Sequence, residues 1–243
     1  MSLIRLIAFD LDGTLSEHKR PLEDENRHLL EELSDKYKII MVASNEVDSI
    51  WEQLNRFPID IVGNYGMQYS EYDEKINGLR AVFSHTYPCD TQKVRQTIQK
   101  IQEKYGYPFG NNLKIHSSGC ITYTPLGTDA SLENKLSFDP DFSKRRKMLP
   151  DVVSAFPDYT PYISGTTSFD IVPKPFNKYM ALDLYCKSFG YSHGEVLFCG
   201  DNYEPDCNDS PIYQSDIKFV KVPHYTKLKE ALYEVLDNSA NGK

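Results

Sequence analysis

Long hydrophobic runs are missing from this chain, and so is any surplus of positive charge. No apolar stretch approaches the roughly 20 residues that a membrane-spanning helix needs. Against 27 lysines and arginines stand 35 aspartates and glutamates, a net charge of -8, which argues against a general nucleic-acid or membrane-surface binder and leaves room only for a local basic site. The five cysteines, Cys89, Cys120, Cys186, Cys199 and Cys207, form no CxxC or Cys/His zinc spacing, and their odd number gives no disulfide framework. A reducing cytoplasm is the expected setting. Arg5 and Asp10 interrupt the apolar start, so no signal peptide is expected. Repeats, low-complexity tracts and long linkers are absent too, and 243 residues suffice for one large domain or for a core with an inserted one.

What is present is concentrated in Ile4 to Leu15, IRLIAFDLDGTL. The apolar residues from Leu3 to Phe9 read as a short buried strand that runs straight into Asp10, Asp12 and Gly13. In an open α/β sheet, ligands lie beyond the carboxyl ends of the strands, which is where these carboxylates fall. Asp10 and Asp12 can point to one side while Leu11 turns into the core. Two carboxylates so close repel, and keeping both ionised calls for a cation; hard oxygen ligands suggest Mg2+. Gly13 permits a tight turn, and Thr14 with its neighbouring amides can face a phosphate oxygen.

The order of periodic segments then describes an interrupted α/β domain. A helix is expected from Pro21 to Asp35, a buried strand at KIIMVAS ending at Ser44, a helix from Glu46 to Arg56 and a strand at 59–62. Ser44 ends its strand as Asp10 ends the first, so its hydroxyl reaches the same sheet edge, although Ser44 or Asn45 could equally cap the following helix. Met67 to Tyr72 and Leu79 to Phe83 flank Asn77-Gly78, a hairpin signal at which a second module is expected to begin.

From 84 to 177 the pattern changes to helices (Thr91 to Tyr105, Ser143 to Phe156) and antiparallel strand pairs (Lys114 to His116 with Cys120 to Thr124, and Thr160 to Ile163 with Ser168 to Val172), an inserted α+β cap domain expected to act as a lid. Parallel order resumes with a helix at Lys178 to Phe189, a strand at Glu195 to Cys199, a strand at Ile217 to Val222 and a final helix from Tyr225 to Asn238. The expected fold is a doubly wound, Rossmann-like parallel sheet formed by 1–83 and 178–243, carrying the 84–177 cap.

Asp201 follows VLFCG as Asp10 follows LIAF and supplies another hard ligand. Asn208 and Asp209 close the same loop, where they can hold a metal's waters or orient Lys178, the lysine that opens the returning helix; Lys174 competes for that role. Glu204 and Asp206 read as solvated surface carboxylates.

DxDGT at 10–14, Ser44, Lys178 and Asp201 resemble, in order, the motifs of the haloacid dehalogenase (HAD) superfamily of phosphotransferases. The position of the insertion resembles that of its C2-capped members. More narrowly, Gly200, Asp201, Pro205, Asn208 and Asp209 match the GDxxxPxxND form of the eukaryotic-type phosphomannomutases, and 168–173, SFDIVP, parallels their SFDVFP. The resemblance implies that Asp10 is a nucleophile, Asp12 an acid/base, and Asp10, the Asp12 carbonyl and Asp201 are Mg2+ ligands. It further implies that Gly13, Thr14, Ser44 and Lys178 bind phosphate and that Ser168 and Asp170 meet sugar hydroxyls.

One departure matters: those mutases present arginines to the distal phosphate where this chain has Ser117 and Thr128 in SSGCITYTPLGT. The basic run Lys144 to Lys147 is the available compensation, although four consecutive helix residues cannot all face one pocket. The expectation is therefore a Mg2+-dependent sugar-phosphate phosphatase acting on a small phosphorylated metabolite, with phosphomannomutase as the runner-up and a noncatalytic phosphosugar-binding protein as the reading from another class. A homodimer is left open.

Overall fold

The computed structural model describes residues 3–108 and 110–241. In chain order the first elements are β1 (Leu6–Phe9), α1 (Asp24–Ser34), β2 (Lys38–Val42), α2 (Val47–Gln53), β3 (Asp60–Gly63), β4 (Gln68–Asp73) and β5 (Gly78–Ser84). Then come α3 (Thr91–Tyr105), β6 (Leu113–Ile115), β7 (Ile121–Tyr123), α4 (Leu132–Phe138), α5 (Ser143–Ala155), β8 (Tyr159–Ser164) and β9 (Ser168–Pro173). The last are α6 (Lys178–Phe189), β10 (Val196–Gly200), α7 (Ser210–Tyr213), β11 (Lys218–Lys221) and α8 (Leu228–Asn241). Two compact units result: Met1–Ser84 with Asn177–Glu204 and Asp209–Lys243, and His85–Phe176 with Pro205–Asn208.

The first unit is built on a seven-stranded sheet in the order β11-β10-β1-β2-β3-β4-β5. The five strands from β11 to β3 are mutually parallel, and the β4–β5 hairpin extends the sheet antiparallel. Strand alternation divides β1 between two cores. Ile7 and Phe9 pack with Leu29, Leu30 and Leu33 of α1, Ile50 of α2 and Leu228 and Leu232 of α8. Leu6 and Ala8 pack on the other face with Ala181, Leu182 and Tyr185 of α6 and Ile212 of α7. Helices on both faces of a parallel sheet are the doubly wound arrangement, and burial on both sides explains why β1 reads as a continuous apolar run.

The second unit has a four-stranded antiparallel sheet, β6-β7-β9-β8. Its core joins Ile121, Tyr123, Ile163, Phe169 and Ile171 to Val94, Ile98 and Ile101 of α3 and Met148 and Val152 of α5. Alternation puts Thr122 and Asp170 on the opposite face.

Several local expectations differ from what is observed. The hairpin opens no second module: β4 and β5 are the edge of the first sheet. Its turn is not the dipeptide Asn77-Gly78, because Asp73 pairs with Gly78 and 74–77 form a four-residue connection. The cause is Asp73, whose Oδ1 accepts the Lys75 amide at 2.9 Å and starts the turn early. Helix α2 stops at Gln53, since Asn55 and Arg56 adopt φ of 52° and 55°. Nor does either proposed cap serve α2: Glu46 is its N-cap, and the Val47 amide is taken by Gln68 Oε1 at 3.1 Å. Helix α4 carries no sustained apolar period and was not anticipated.

The basic run on α5 does not compensate as a unit. Arg145 is fully buried, with Nε 2.7 Å from Asp139 Oδ2 and Nη1 donating to the carbonyls of Ser164, Gly165 and Ser168 at 3.0, 3.0 and 3.1 Å. Lys144 donates to the Phe138 carbonyl, and Arg146 Nη2 reaches the Pro205 carbonyl at 3.4 Å. Removing one member of a buried pair strands the other's charge. Arg145→Met should therefore lower the unfolding free energy by about 3–5 kcal/mol in urea melts. Adding Asp139→Leu should recover most of that loss; a single variant with the wild-type midpoint would contradict a desolvated pair.

Candidate active site

The parallel strands carry their chemistry to one edge of the sheet. Asp10 follows β1, Ser44 lies two residues beyond β2, Asp201 follows β10, and Asp209 precedes α7. Lys178 is the first residue of α6, whose N-cap Asn177 accepts the Met180 amide at 2.8 Å. Its side chain is fully buried, with Nζ 2.7 Å from Asp10 Oδ1 and 2.6 Å from Asp209 Oδ1. Burial alone would push the ammonium down, but the charges and hydrogen bonds of Asp10 and Asp209 hold it above the usual lysine range.

Oxygens of Asp10, Asp201 and Asp209 all lie within 4.8 Å of one another. Burial, then the neighbouring charges of Asp10 and Asp209, raise the Asp201 carboxyl well above its ordinary value. Asp209 is pushed up to about 6, again chiefly by burial, with Lys178 opposing the shift. With all three ionised, three carboxylates against one ammonium would leave surplus negative charge in a buried place, and an all-oxygen donor set of this kind fits a hard divalent cation such as Mg2+. Asp209, expected in an outer position, thus offers an oxygen to the same cluster as Asp10 and Asp201.

Two glycines make the approach possible. A Cβ on Gly13, at φ 88°, would lie 2.3 Å from Asp201 Oδ2, and one on Gly200 would lie 2.6 Å from Asp209 Oδ2. The first loop is itself internally bonded: the Gly13 amide donates to Ser16 O at 2.8 Å and the Thr14 amide to Leu11 O at 3.2 Å. The buried Thr14 hydroxyl lies 3.5 Å from Asp201 Oδ1. Those two amides close the turn that follows β1. Ser44 stays half-buried at the edge.

Asp12 is bonded to a separate set of partners. Its Oδ1 accepts the Lys19 amide at 2.7 Å and Gln53 Nε2 at 2.8 Å, while Oδ2 lies 3.3 Å from Asn45 Nδ2. Neither Gln53 nor this role of Asn45 was foreseen. Gln53 sits 41 positions from Asp12 at the end of an ordinary amphipathic helix, and no local spacing marks it. Asn208 groups with the second unit, where its Nδ2 is 3.5 Å from Ser164 Oγ.

Ser168 and Asp170 lie on β9 of the second unit. Asp170 Oδ1 accepts from Thr122 Oγ1 at 2.9 Å, Thr122 is 3.1 Å from His116 Nε2, and the Ser168 and Thr124 hydroxyls are 3.1 Å apart. Lys174 donates to the Pro157 carbonyl at 2.8 Å, away from the role considered for it. All five cysteines are free thiols, and no helix among the described residues is long and apolar enough to cross a membrane.

Comparison with known proteins identifies the class first. A haloacid dehalogenase-like hydrolase from Bacteroides thetaiotaomicron superposes with a TM-score of 0.52 at 14% identity, covering 97% of this chain and 99% of that one, so the two share a fold. The profile of the eukaryotic phosphomannomutases matches residues 26–235. A probable phosphomannomutase of Caenorhabditis elegans is 25% identical over 230 residues, and the phosphomannomutase of Triticum aestivum is 26% identical over 227 residues. These alignments cover 87% of this chain in each case, and 87% and 86% of the two relatives. The chain belongs to the eukaryotic phosphomannomutase family.

A bound cation should stabilise this site by mass action. With Mg2+ at about 100 times its Kd, unfolding free energy should rise by about 2.7 kcal/mol, and Asp201→Asn should lose that gain in a thermal-shift titration. Without Mg2+ the sign reverses. The Asp201 carboxyl is raised on folding, so its ionised form destabilises the fold increasingly as pH climbs above the unfolded value of 3.8. Asp201→Asn should accordingly melt higher than wild type at pH 7.5 in EDTA and lose that advantage near pH 4. An equal Mg2+ shift in both proteins would remove Asp201 from the metal site.

Proposed function

We propose that this chain is a Mg2+-dependent phosphotransferase working through an aspartyl-phosphate on Asp10, and that it moves phosphate on a hexose phosphate as a phosphomannomutase does. The observation that carries the reading is the family match over 26–235, joined to a buried Lys178 bridging Asp10 and Asp209 at one edge of the sheet. This puts isomerisation ahead of the hydrolysis expected from Ser117 and Thr128.

In this reading an Asp10 oxygen attacks phosphorus, the bond to the ester oxygen breaks, and Asp12 delivers a proton to the departing oxygen. Return of the phosphoryl group to a sugar hydroxyl gives isomerisation, with Asp12 removing that hydroxyl's proton. Lys178 keeps Asp10 oriented and offers positive charge beside the phosphoryl oxygens, while Ser44 donates to one of them. Asp10, Asp201, Asp209 and the Asp12 carbonyl are the groups proposed to hold Mg2+, which when bound neutralises phosphate charge. Ser168 and Asp170 are proposed to meet sugar hydroxyls.

Hydrolysis is the second reading, and a specific observation favours it. Ser117 and Thr128 replace the family's arginines, and Arg145, the most obvious guanidinium in the compensating run, is enclosed by Asp139 and three carbonyls. A mutase needs strong contacts to the phosphate remote from Asp10.

The two readings separate in one assay. Mannose 1-phosphate and glucose 1-phosphate are supplied with Mg2+ and a hexose bisphosphate activator, and 6-phosphate product and free phosphate are measured together. Isomerisation is expected to run ahead of phosphate release; the opposite ratio would restore the phosphatase reading, and no turnover of a broad phosphate-ester panel would favour a binding protein. Asp10→Asn, or EDTA, should abolish both products. Full activity under either condition would remove the aspartyl-phosphate mechanism.

A further inference from the structure

We propose that Gln53 is the positioning residue of the acid/base: with the Lys19 amide it pins Oδ1 of Asp12, so that Oδ2 is the oxygen that carries the proton. The inference rests on the aspartyl-phosphate reading and adds to it which oxygen works and what holds it. Oδ1 takes two short hydrogen bonds, from Lys19 N at 2.7 Å and Gln53 Nε2 at 2.8 Å, which occupy the lone pairs a proton would need. Oδ2 faces only the longer 3.3 Å approach of Asn45 Nδ2 among the bonds made by this carboxylate.

The carboxamide is itself locked. Its Nε2 also donates to Ser16 Oγ at 3.0 Å, so both amide hydrogens are used and the nitrogen must face Asp12, since the amide oxygen there would repel a carboxylate. The main chain is fixed as well, because Gln53 O accepts the Leu22 amide at 2.8 Å.

In the chemical step the Asp10–phosphorus bond forms, the phosphorus–oxygen ester bond breaks with its electron pair leaving on oxygen, and the proton on Asp12 Oδ2 passes to that oxygen. Only a basic leaving group needs the proton. Loss of Gln53 should therefore matter for phenyl phosphate and much less for p-nitrophenyl phosphate, whose leaving group departs as a stable anion. A merely structural role would slow both equally.

The test is single-turnover release of the two phenols by wild type and Gln53→Leu, with covalent phosphate on the protein followed in parallel. Phenyl phosphate cleavage should fall about 10- to 100-fold, part of the roughly 10²–10⁴ that a positioned proton donor contributes. p-Nitrophenyl phosphate cleavage should change less than about threefold, and Gln53→Glu, which cannot donate both bonds when ionised, should show the same selectivity. Should Gln53→Leu not fold by circular dichroism, Gln53→Met takes its place. Equal factors on both esters overturn the proposal, as does a wild-type rate in Gln53→Leu. A wild-type protein that releases phenol with no phosphate on Asp10 overturns the aspartyl-phosphate reading and this one with it, whereas a normal phosphoenzyme with unselective loss overturns this one alone.

Discussion

Lys178 is the point on which the site depends. Its ammonium is wholly buried and touches both Asp10 and Asp209, joining the end of β1, the start of α6 and the loop after β10. Its position runs against local preference, since the first turn of a helix is the positive end of the macrodipole and favours anions. The two carboxylates outweigh that preference, and breaking one such buried contact typically costs several kcal/mol because it leaves an uncompensated charge. With Asp201 added, the cluster still carries more negative than positive charge. The fold thus gathers an acidic cluster around one ammonium, a place of the kind that suits a hard divalent cation.

How residues so far apart in sequence arrive together follows from the parallel sheet. Neighbouring parallel strands all deliver their carboxyl ends to the same edge, so residues 10, 44 and 201 meet without any long-range motif to bring them there. The same geometry explains the glycines. Asp10 and Asp201 leave adjacent strands, and the loops between them come close enough that a single methyl on Gly13 would overlap a carboxylate oxygen.

This is also why the site was partly legible in the sequence. Asp10, Asp12, Lys178 and Asp201 each end or begin a strongly patterned element, and α3 and α6 appear with the bounds their periodicity predicts. Gln53 was invisible because its partner, Asp12, is reached by tertiary packing and its own helix position carries no chemical signal. Arg145 was misread for a related reason. A run of four basic residues looks like a solvated face or an anion site, and only the placement of Asp139 and of the β8–β9 carbonyls shows that one member is a buried strut. The hairpin turn failed locally: Asp73 competed with Asn77-Gly78 and won.

The commitment of Arg145 has a consequence for ligand choice. Its guanidinium holds the carbonyls of Ser164, Gly165 and Ser168, which shapes the turn between β8 and β9 and so sets the start of the strand that carries Ser168 and Asp170. On the face of that sheet opposite its core, register aligns Lys114 with Thr122, Thr122 with Asp170 and Asp170 with Tyr162. In the proposed reading, the Thr122 and Tyr162 hydroxyls flanking the Asp170 carboxylate would suit sugar hydroxyls, which can both donate and accept. A phosphate placed over Asp170 would meet like charge, so along this row an anionic group is best accommodated at the Lys114 end, two strands from Asp170.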